Sequence, residues 1–333
     1  MNDINRQVIL IARPAGIAQA EHFAIRHSRV DQPGPGEILV RNHYLSVEPA
    51  MRGWIADSDN YAAPVAIGSV MRALAAGQVV ASGDDAYQVG DYVTGWFGWQ
   101  DFTRVRTDQV VQRTNAPEMR ASLGILGING VTAFLALTLI GQPRAGDTVL
   151  VSTAAGAVGS AVGQIARLMG CRTIGIAGGP DKVRRCVDQF GYDSAIDYRG
   201  EDVGVAVARH APQGVDIYFD NVAGAISDAV LPHLAMRGRV VACGTASIDR
   251  WNPWPQGPRV ERHLLVKRAR MEGFVIFDHM DRYGDAVAQL RAWIAQGQLT
   301  WREEILDGIV ACPDALAGLY RGENDGKRLI RLV

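Results

Sequence analysis

The chain has 333 residues, 48% hydrophobic and 21% charged, which is typical of a folded globular protein of about two domains. Its 34 basic and 35 acidic residues give a net charge of −1, which excludes a general attraction to nucleic acid or an anionic membrane surface. A disulfide framework or zinc site is not predicted, because the cysteines are widely spaced at Cys171, Cys186, Cys243 and Cys312. The apolar run at 8–12 is too short for a signal peptide, so we expect a cytoplasmic protein.

The first part of the chain, to about residue 120, has the pattern of a β-rich unit. Short strands are predicted between glycine-rich turns at Ile38–Tyr44, Val79–Ala81 and Asp91–Trp96. Two further strands, Leu299–Ile305 and Arg328–Val333, follow a helix over Asp281–Gln296. We expect these late strands to return to the β-rich unit, which would make it discontinuous.

A charge-free segment over residues 121–143 exceeds the length of about 18 apolar residues that suggests a membrane span. Three glycines and Asn129 interrupt it, which is unfavourable in lipid. A buried helix with its approach loop is the better interpretation.

The middle of the chain alternates strand and helix patterns, which predicts a doubly wound α/β fold with a parallel sheet. One helix is expected to end near Gly238. The predicted strands are Thr148–Ser152, Thr173–Ala177, Ala195–Tyr198, Val215–Phe219, Arg239–Cys243 and Met271–Phe277.

The sharpest motif lies where the first of these strands meets a helix. Gly156 would let the backbone approach a pyrophosphate, and Gly159 would let the helix pack closely on the strand. The intervening Ala157 and Val158 would add helix N-terminal amides. The usual first glycine is replaced by Ala154, but the surrounding strand–helix–strand pattern favours dinucleotide binding over an accidental glycine-rich turn.

Cofactor choice is predicted from the end of the second strand. Glycines stand at 178 and 179, so no carboxylate at the strand tip itself would repel the 2′-phosphate of NADP. Lys182 follows in the first turn of the next helix and could reach that phosphate. NADP is therefore favoured over NAD, with a solvated surface lysine as the alternative.

The sequence resembles the zinc-independent branch of the medium-chain dehydrogenase/reductases that contains the prostaglandin reductases and the alkenal/enone double-bond reductases. The matching segments span nearly the whole chain: LSVEPAMRG (45–53), GWQDF (98–102), AAGAVGS (154–160), Asp220-Asn221-Val222, Cys243-Gly244, GFVIFD (273–278) and GENDGKRL (322–329). The resemblance implies a GroES-like catalytic domain over residues 1–125 and 296–333, a Rossmann NADP-binding domain over 126–295, and commonly a homodimer.

The resemblance also implies a set of cofactor contacts beyond the glycine-rich turn. Lys182 and Tyr198 would hold the 2′-phosphate. The remaining cofactor contacts would come from Asn221, Cys243, Gly244, Thr245, Phe274, Val275, Ile276 and Asn324. Each has a plain structural alternative, such as a strand-end tyrosine, a buried cysteine or a turn asparagine.

The chain departs from this family where the substrate would bind. Ala50 and Phe134 stand where tyrosine is frequent, and Asp249 or Trp251 takes the place of a tyrosine that follows the Cys-Gly pair. Tyr61 and Thr132 are the alternative hydroxyl donors. Together with Trp251 they are the predicted substrate and enolate pocket.

The expected activity is NADPH-dependent reduction of the carbon–carbon double bond of α,β-unsaturated ketones and aldehydes, with hydride delivered to the β-carbon and the enolate stabilised by donors. A quinone oxidoreductase is the alternative enzyme, and an NADPH-binding sensor or structural protein is the alternative of another class. No Gly-His-Glu zinc motif occurs. The basic stretch at 259–270 is interpreted as an amphipathic helix rather than a nucleic-acid site.

Overall fold

The computed structural model describes residues 4–57 and 60–333. The chain divides into unit 1, formed by residues up to Gly124 together with Glu303–Val333, and unit 2, formed by Ile125–Arg302. The second boundary lies at 303 instead of the expected 296. The reason is that Thr300 belongs to unit 2, where its N–H donates to Gln164 Oε1 and its carbonyl accepts from Gln164 Nε2, both at 2.9 Å.

The N-terminal segment of unit 1 is built mainly from strands around a core that contains Trp99, Phe97 and Met51. Its elements are β1 (Ile4–Leu10), β2 (Phe23–Arg29), β3 (Glu37–Ser46), α1 (Met51–Ile55), β4 (Ala75–Ser82), β5 (Tyr92–Gly95), β6 (Phe102–Arg106) and β7 (Val110–Thr114), with 3-10 turns at Ala20–His22, Thr107–Gln109 and Ala121–Leu123.

Unit 2 is a parallel sheet with helices in the connections. Its elements are α2 (Ile128–Ala136), which continues as a π-helical turn over Leu137–Gly141, β8 (Thr148–Ser152), α3 (Ala157–Leu168), β9 (Arg172–Ala177), α4 (Pro180–Asp188), β10 (Ser194–Asp197), α5 (Val203–His210), β11 (Val215–Asp220), α6 (Gly224–Val230), β12 (Leu234–Ala242), α7 (Glu261–Lys267), β13 (Arg270–Gly273) and α8 (Tyr283–Ala295), with 3-10 turns at Leu231–His233 and Ile276–Arg282.

The C-terminal segment returns to unit 1. It contains β14 (Glu303–Asp307), a 3-10 turn at Ile309–Ala311, α9 (Cys312–Tyr320) and β15 (Lys327–Arg331). The sheet order is β14-β15-β3-β4-β5-β7, with β6 also paired to β3. β1 and β2 form a separate two-stranded sheet. The two late strands join the sheet that contains β3–β7, with β15 antiparallel to β3.

The sheet of unit 2 has the order β10-β9-β8-β11-β12-β13, and its pairings are parallel. This confirms the predicted doubly wound α/β architecture. The charge-free segment at 121–143 forms α2 and its surroundings, largely buried, and no helix among residues 4–57 and 60–333 is long and apolar enough to cross a membrane.

Two predicted boundaries in this sheet are wrong. The helix expected to end near Gly238 ends at Val230, because β12 already begins at Leu234. Gly238 lies inside that strand at an irregularity of register, where Val215 pairs with Leu234 but Ile217 pairs with Arg239, and Arg237 has a φ of 63°. The last strand also ends at Gly273 instead of Phe277, since a 3-10 turn begins at Ile276.

Candidate dinucleotide site

The strand order of unit 2 places a crevice between β8 and β11. From β8 the chain winds outward through β9 and β10, then crosses back to β11 and continues outward on the other side. In doubly wound sheets, ligands bind at such a reversal point, outside the carboxyl ends of the strands. The residues that follow β8, β9, β11, β12 and β13 therefore form the candidate site.

The turn after β8 is shaped by close backbone approach. Gly156 is the N-cap of α3, and its N–H donates to Thr153 O at 2.8 Å. A Cβ on Gly159 would lie 2.3 Å from that same carbonyl oxygen, so only glycine fits there. The first amides of a helix have no intrahelical acceptor, so the N–H groups of Ala157 and Val158 suit a phosphate. The turn thus fits a pyrophosphate.

The departure at Ala154 from the usual glycine is matched on the neighbouring strand. Ala154 is fully buried, and a Cβ on Gly175 of β9 would lie 2.7 Å from its methyl group. The missing side chain at Gly175 therefore gives room for the one at Ala154. The first turn of α3 is also held from outside the helix. The buried Tyr192, which precedes β10, donates its hydroxyl to Gly159 O at 2.6 Å and so fixes the helix against the sheet.

The two predicted 2′-phosphate residues follow neighbouring strands of the sheet, Lys182 after β9 and Tyr198 after β10. A Cβ on Gly178 would lie 2.8 Å from the Tyr198 hydroxyl, so this glycine makes room for the half-exposed tyrosine that follows β10. Gly179 has a φ of 89° and is the N-cap of α4, whose first turn contains Lys182. A lysine and a phenol hydroxyl near the strand tip fit a phosphate group.

A carboxylate does lie near this tip, contrary to the expectation that none would be met there. Asp197 Oδ1 accepts from the N–H of Gly179 at 2.7 Å and from the N–H of Arg199 at 3.0 Å. The Arg199 guanidinium lies 5.8 Å from the centre of the Tyr198 ring. Two backbone N–H groups therefore donate to one oxygen of this carboxylate. The nearby Arg199 adds a positive charge at the Tyr198 ring.

The segments after β11 and β12 are joined by backbone hydrogen bonds. Cys243 and Gly244 donate to Asp220 O at 2.8 and 3.1 Å. A Cβ on Gly244 would lie 2.7 Å from Asn221 O, so glycine is required for this approach. Thr245 follows and is exposed. Asn221, Cys243, Gly244 and Thr245 thus lie together at the carboxyl edge of the sheet.

Cys243 itself is suited to packing. Burial and the nearby Asp220 carboxylate raise the pKa of its thiol to about 12. The thiol therefore stays protonated at neutral pH, and the side chain acts as a small apolar group rather than a nucleophile.

The segment after β13 completes this edge. Phe274 donates its N–H to Ala242 O at 3.1 Å, which holds it beside the end of β12. The side chains of Phe274 and Ile276 are buried, that of Val275 is partly exposed, and the Phe274 ring stacks on His279 with centroids 5.0 Å apart. The segment 274–276 therefore lies at the carboxyl edge of the sheet, beside the end of β12.

The remaining predicted residues lie elsewhere in the two units. In unit 1, Asn324 lies in the turn before β15 and donates from Nδ2 to Gly326 O at 3.0 Å, while Tyr61 is half exposed after α1. In unit 2, Thr132 is buried in α2, and Trp251 lies in the loop after β12 with its ring 5.2 Å from that of Trp254. The structure thus assigns Thr132 and Trp251 to the unit that carries the crevice.

Sequence reasoning missed Ser152 and Asp220 as parts of the site. They end β8 and β11, one on each side of the crevice, and both are buried. An acidic residue directly after the apolar run Ile217–Phe219 was the available signal for Asp220. Its partners could not be found, because Ser152 lies far away in sequence.

The described residues contain no group of three or more His, Cys, Asp or Glu side chains close enough to hold a metal ion.

Two family models match this chain. One, described as the N-terminal domain of oxidoreductase, matches residues 6–112, and another, described as zinc-binding dehydrogenase, matches residues 157–292. The NADPH-dependent curcumin reductase of Escherichia coli is 39% identical over 99% of this chain and 97% of its own length. The NADP(+)-dependent 2-alkenal reductase of Nicotiana tabacum is 34% identical over 98% of this chain and 97% of its own length.

A solved structure agrees with these relatives. CurA from Vibrio vulnificus in complex with NADPH is 40% identical, with a TM-score of 0.93 over 98% of this chain and 99% of that one. The chain belongs to the medium-chain dehydrogenase/reductase family, in its enone reductase branch. Membership extends over both units, since each family model matches residues of a different unit.

Proposed function

We propose that this member of the family is an NADPH-dependent reductase of carbon–carbon double bonds conjugated to a carbonyl group. The observation that carries the proposal is the glycine-shaped turn between Thr153 and Gly159 at the reversal point of the sheet, in a chain that aligns end to end with the curcumin and alkenal reductases. When bound, the nicotinamide supplies a hydride for the β-carbon. The residues of this chain position the cofactor and exclude water.

The described contacts support particular roles. The amides at the start of α3 would bind the pyrophosphate, and Lys182 with Tyr198 would bind the 2′-phosphate. Asn221, the segment 243–245, the segment 274–276 and Asn324 would hold the rest of the cofactor. Tyr61, Thr132 and Trp251 would contact the substrate, and a hydroxyl donor there would stabilise the enolate oxygen.

Isotope labelling tests the reaction. With NADPH deuterated at the transferable C4 position, we expect deuterium on the β-carbon of an enone, a hydrogen from solvent on the α-carbon, and a saturated ketone as product. A conjugated alkene needs less activation than a simple ketone, because its carbonyl delocalises the incoming charge. Product analysis by NMR and mass spectrometry gives the position of the label.

The other outcomes distinguish the alternatives. Deuterium on the carbonyl carbon, with an allylic alcohol as product, would identify a carbonyl reductase. NADPH oxidation with quinones but not with enones or alkenals would favour the quinone oxidoreductase. No turnover with any of these substrates would favour the sensor or structural role.

The Lys182 side chain is predicted to select NADPH. Lys182→Ala should weaken NADPH binding by about 1–2 kcal/mol, roughly tenfold, because a charge-assisted contact to the 2′-phosphate is lost. NADH binding should hardly change. Dissociation constants for both cofactors provide the measurement, with Lys267→Ala in α7 as a matched lysine control. Equal affinity of the unaltered protein for NADH and NADPH would refute the assignment.

We also propose that the protein works without zinc, as a homodimer, in the reducing cytoplasm. The four cysteines are free thiols, which suits that compartment. In the described part of the chain the sheet of unit 2 ends at β13, whose four residues are all exposed, and Leu265 of the preceding α7 is 77% exposed. An exposed strand edge beside apolar side chains favours pairing with a second copy.

The purified protein checks these properties directly. We expect a particle of about twice 36.0 kDa by light scattering, and activity that survives dialysis against a strong chelator. Stoichiometric zinc whose removal abolishes activity would contradict metal independence. A monomer at all concentrations would contradict the dimer.

A further inference from the structure

Asp220 is a buried carboxylate, 4% exposed, at the end of β11. Its oxygens accept hydrogen bonds from the hydroxyls of Tyr218 at 3.0 Å and Ser227 at 2.5 Å, and from the N–H groups of Val222 at 2.9 Å and Ala223 at 3.0 Å. These four donors are neutral, and so is the Ser152 hydroxyl, which also donates to Asp220. A buried charge is costly unless hydrogen bonds compensate it, so this carboxylate depends on the turn that surrounds it.

The turn itself is held in an unusual conformation. Ala223 has a φ of 58° and a ψ of −160°, a region that glycine adopts easily and that is strained for other residues. Asp220 Oδ1 holds the Ala223 N–H, while Ser247 Oγ donates to Val222 O at 2.8 Å and to Ala223 O at 3.0 Å. Such strain persists where surrounding bonds enforce it, and it is concentrated at functional sites.

The same network reaches across the crevice to β8. The N–H of Asn221 donates to Ser152 Oγ at 2.8 Å, and Asn221 Nδ2 donates to Ser152 O at 2.7 Å. Ser152 Oγ in turn donates to Asp220 Oδ1 at 3.3 Å. Ser152, on the neighbouring strand, therefore binds both the main chain and the side chain of Asn221. The side-chain Oδ1 of Asn221 is the atom that can accept a hydrogen bond from a ligand.

We propose that Asp220 and Ser152 are positioning residues, which together hold the Asn221 amide so that its Oδ1 accepts a hydrogen bond from the cofactor. Asp220 orients the Ser152 hydroxyl and fixes the strained turn, and Ser152 orients Asn221. Neither residue needs to contact the cofactor. The inference rests on the proposed function, because it assigns an orientation within the proposed NADPH site.

The competing explanation is that these residues only stabilise the fold. Substitutions of two serines distinguish this explanation from the positioning role. Ser152 and Ser227 are both buried, and each donates a hydroxyl hydrogen bond to Asp220. Only the Ser152 hydroxyl also accepts from the Asn221 N–H. The bond from Asn221 Nδ2 goes to the Ser152 main-chain carbonyl and is retained in Ser152→Ala, so this variant tests the hydroxyl link alone. Ser152→Ala and Ser227→Ala are therefore a matched pair that differ in their link to Asn221.

The experiment measures the NADPH dissociation constant of the full-length variants by fluorescence titration, and their melting temperatures without cofactor. We expect Ser152→Ala to raise the dissociation constant about tenfold, and Ser227→Ala to change it less than about twofold, while both lower the melting temperature. Asp220→Asn keeps the Oδ1 acceptor, so it should bind NADPH more tightly than Asp220→Ala does.

Equal changes in the dissociation constant for the two serine variants, or no change for Ser152→Ala, would overturn the positioning role. Those results would leave the proposed function intact, since the unaltered protein would still bind NADPH. Failure of the unaltered protein to bind NADPH would instead overturn the proposed function and this inference together.

Discussion

Lys327→Met should destabilise unit 1 by about 3–5 kcal/mol, the usual cost of removing one partner of a buried ion pair. Lys327 is only 4% exposed, and its Nζ donates to Ser46 Oγ at 2.6 Å, Glu48 Oε1 at 2.5 Å and Val47 O at 3.3 Å. The substitution would remove the buried ammonium group that lies against the Glu48 carboxylate. Thermal and urea unfolding of the full chain, followed by tryptophan fluorescence, provide the measurement.

A double variant is the control for this ion pair. Adding Glu48→Gln to Lys327→Met removes the buried negative charge that the lysine faced, so the double variant should recover a substantial part of the lost stability. The pair joins the start of β15 to the segment that follows β3. An unfolding transition of Lys327→Met that coincides with that of the unaltered protein would show that the carboxylate does not depend on the lysine.

Gly159→Ala should weaken NADPH binding by about 10- to 100-fold, since a hydrogen bond from a helix amide to a charged phosphate is worth about 1.5–3 kcal/mol. The new Cβ would lie 2.3 Å from Thr153 O and 2.8 Å from its carbonyl carbon. Because these are backbone atoms, the start of α3 must move away from the turn after β8. Titration of the variant with NADPH gives the affinity, and circular dichroism tests that the fold is retained.

Gly284→Ala is the matched control for that substitution. Gly284 also lies in a helix, α8, but a Cβ there would have nothing within 4 Å. The same change should therefore leave NADPH binding unaltered, and it should stabilise the helix by about 0.5–1 kcal/mol. An unchanged affinity in Gly159→Ala would show that the close approach at Thr153 is not needed for binding.

The sequence predicted those parts of the fold and site that depend on neighbouring residues. The strand before Gly156, the helix that begins at Pro180 and the glycines at the tip of β9 follow from apolar runs and turn residues close together in the chain. The predicted cofactor residues Asn221 and Cys243 were supplied by the family resemblance, and their roles remain proposals.

Features that depend on distant residues could not be predicted. Gly238 resembles a helix end, but pairing between β11 and β12 places it inside a strand. Ala154 departs from the glycine motif, and only the structure shows that Gly175 on the next strand leaves room for its side chain. Ser152 and Asp220 are 68 positions apart, and no local pattern indicates that they meet.

The split of unit 1 along the chain determines the order in which its sheet becomes available during synthesis. On one side, the last residues of β3, Tyr44–Ser46, pair with Leu329–Arg331 of β15. A ribosome makes that partner only after all of unit 2, residues 125–302, has been translated. β3, the central strand of unit 1, therefore lacks the β15 partner for part of one edge until translation is almost complete. All the strands of unit 2 have been made by then.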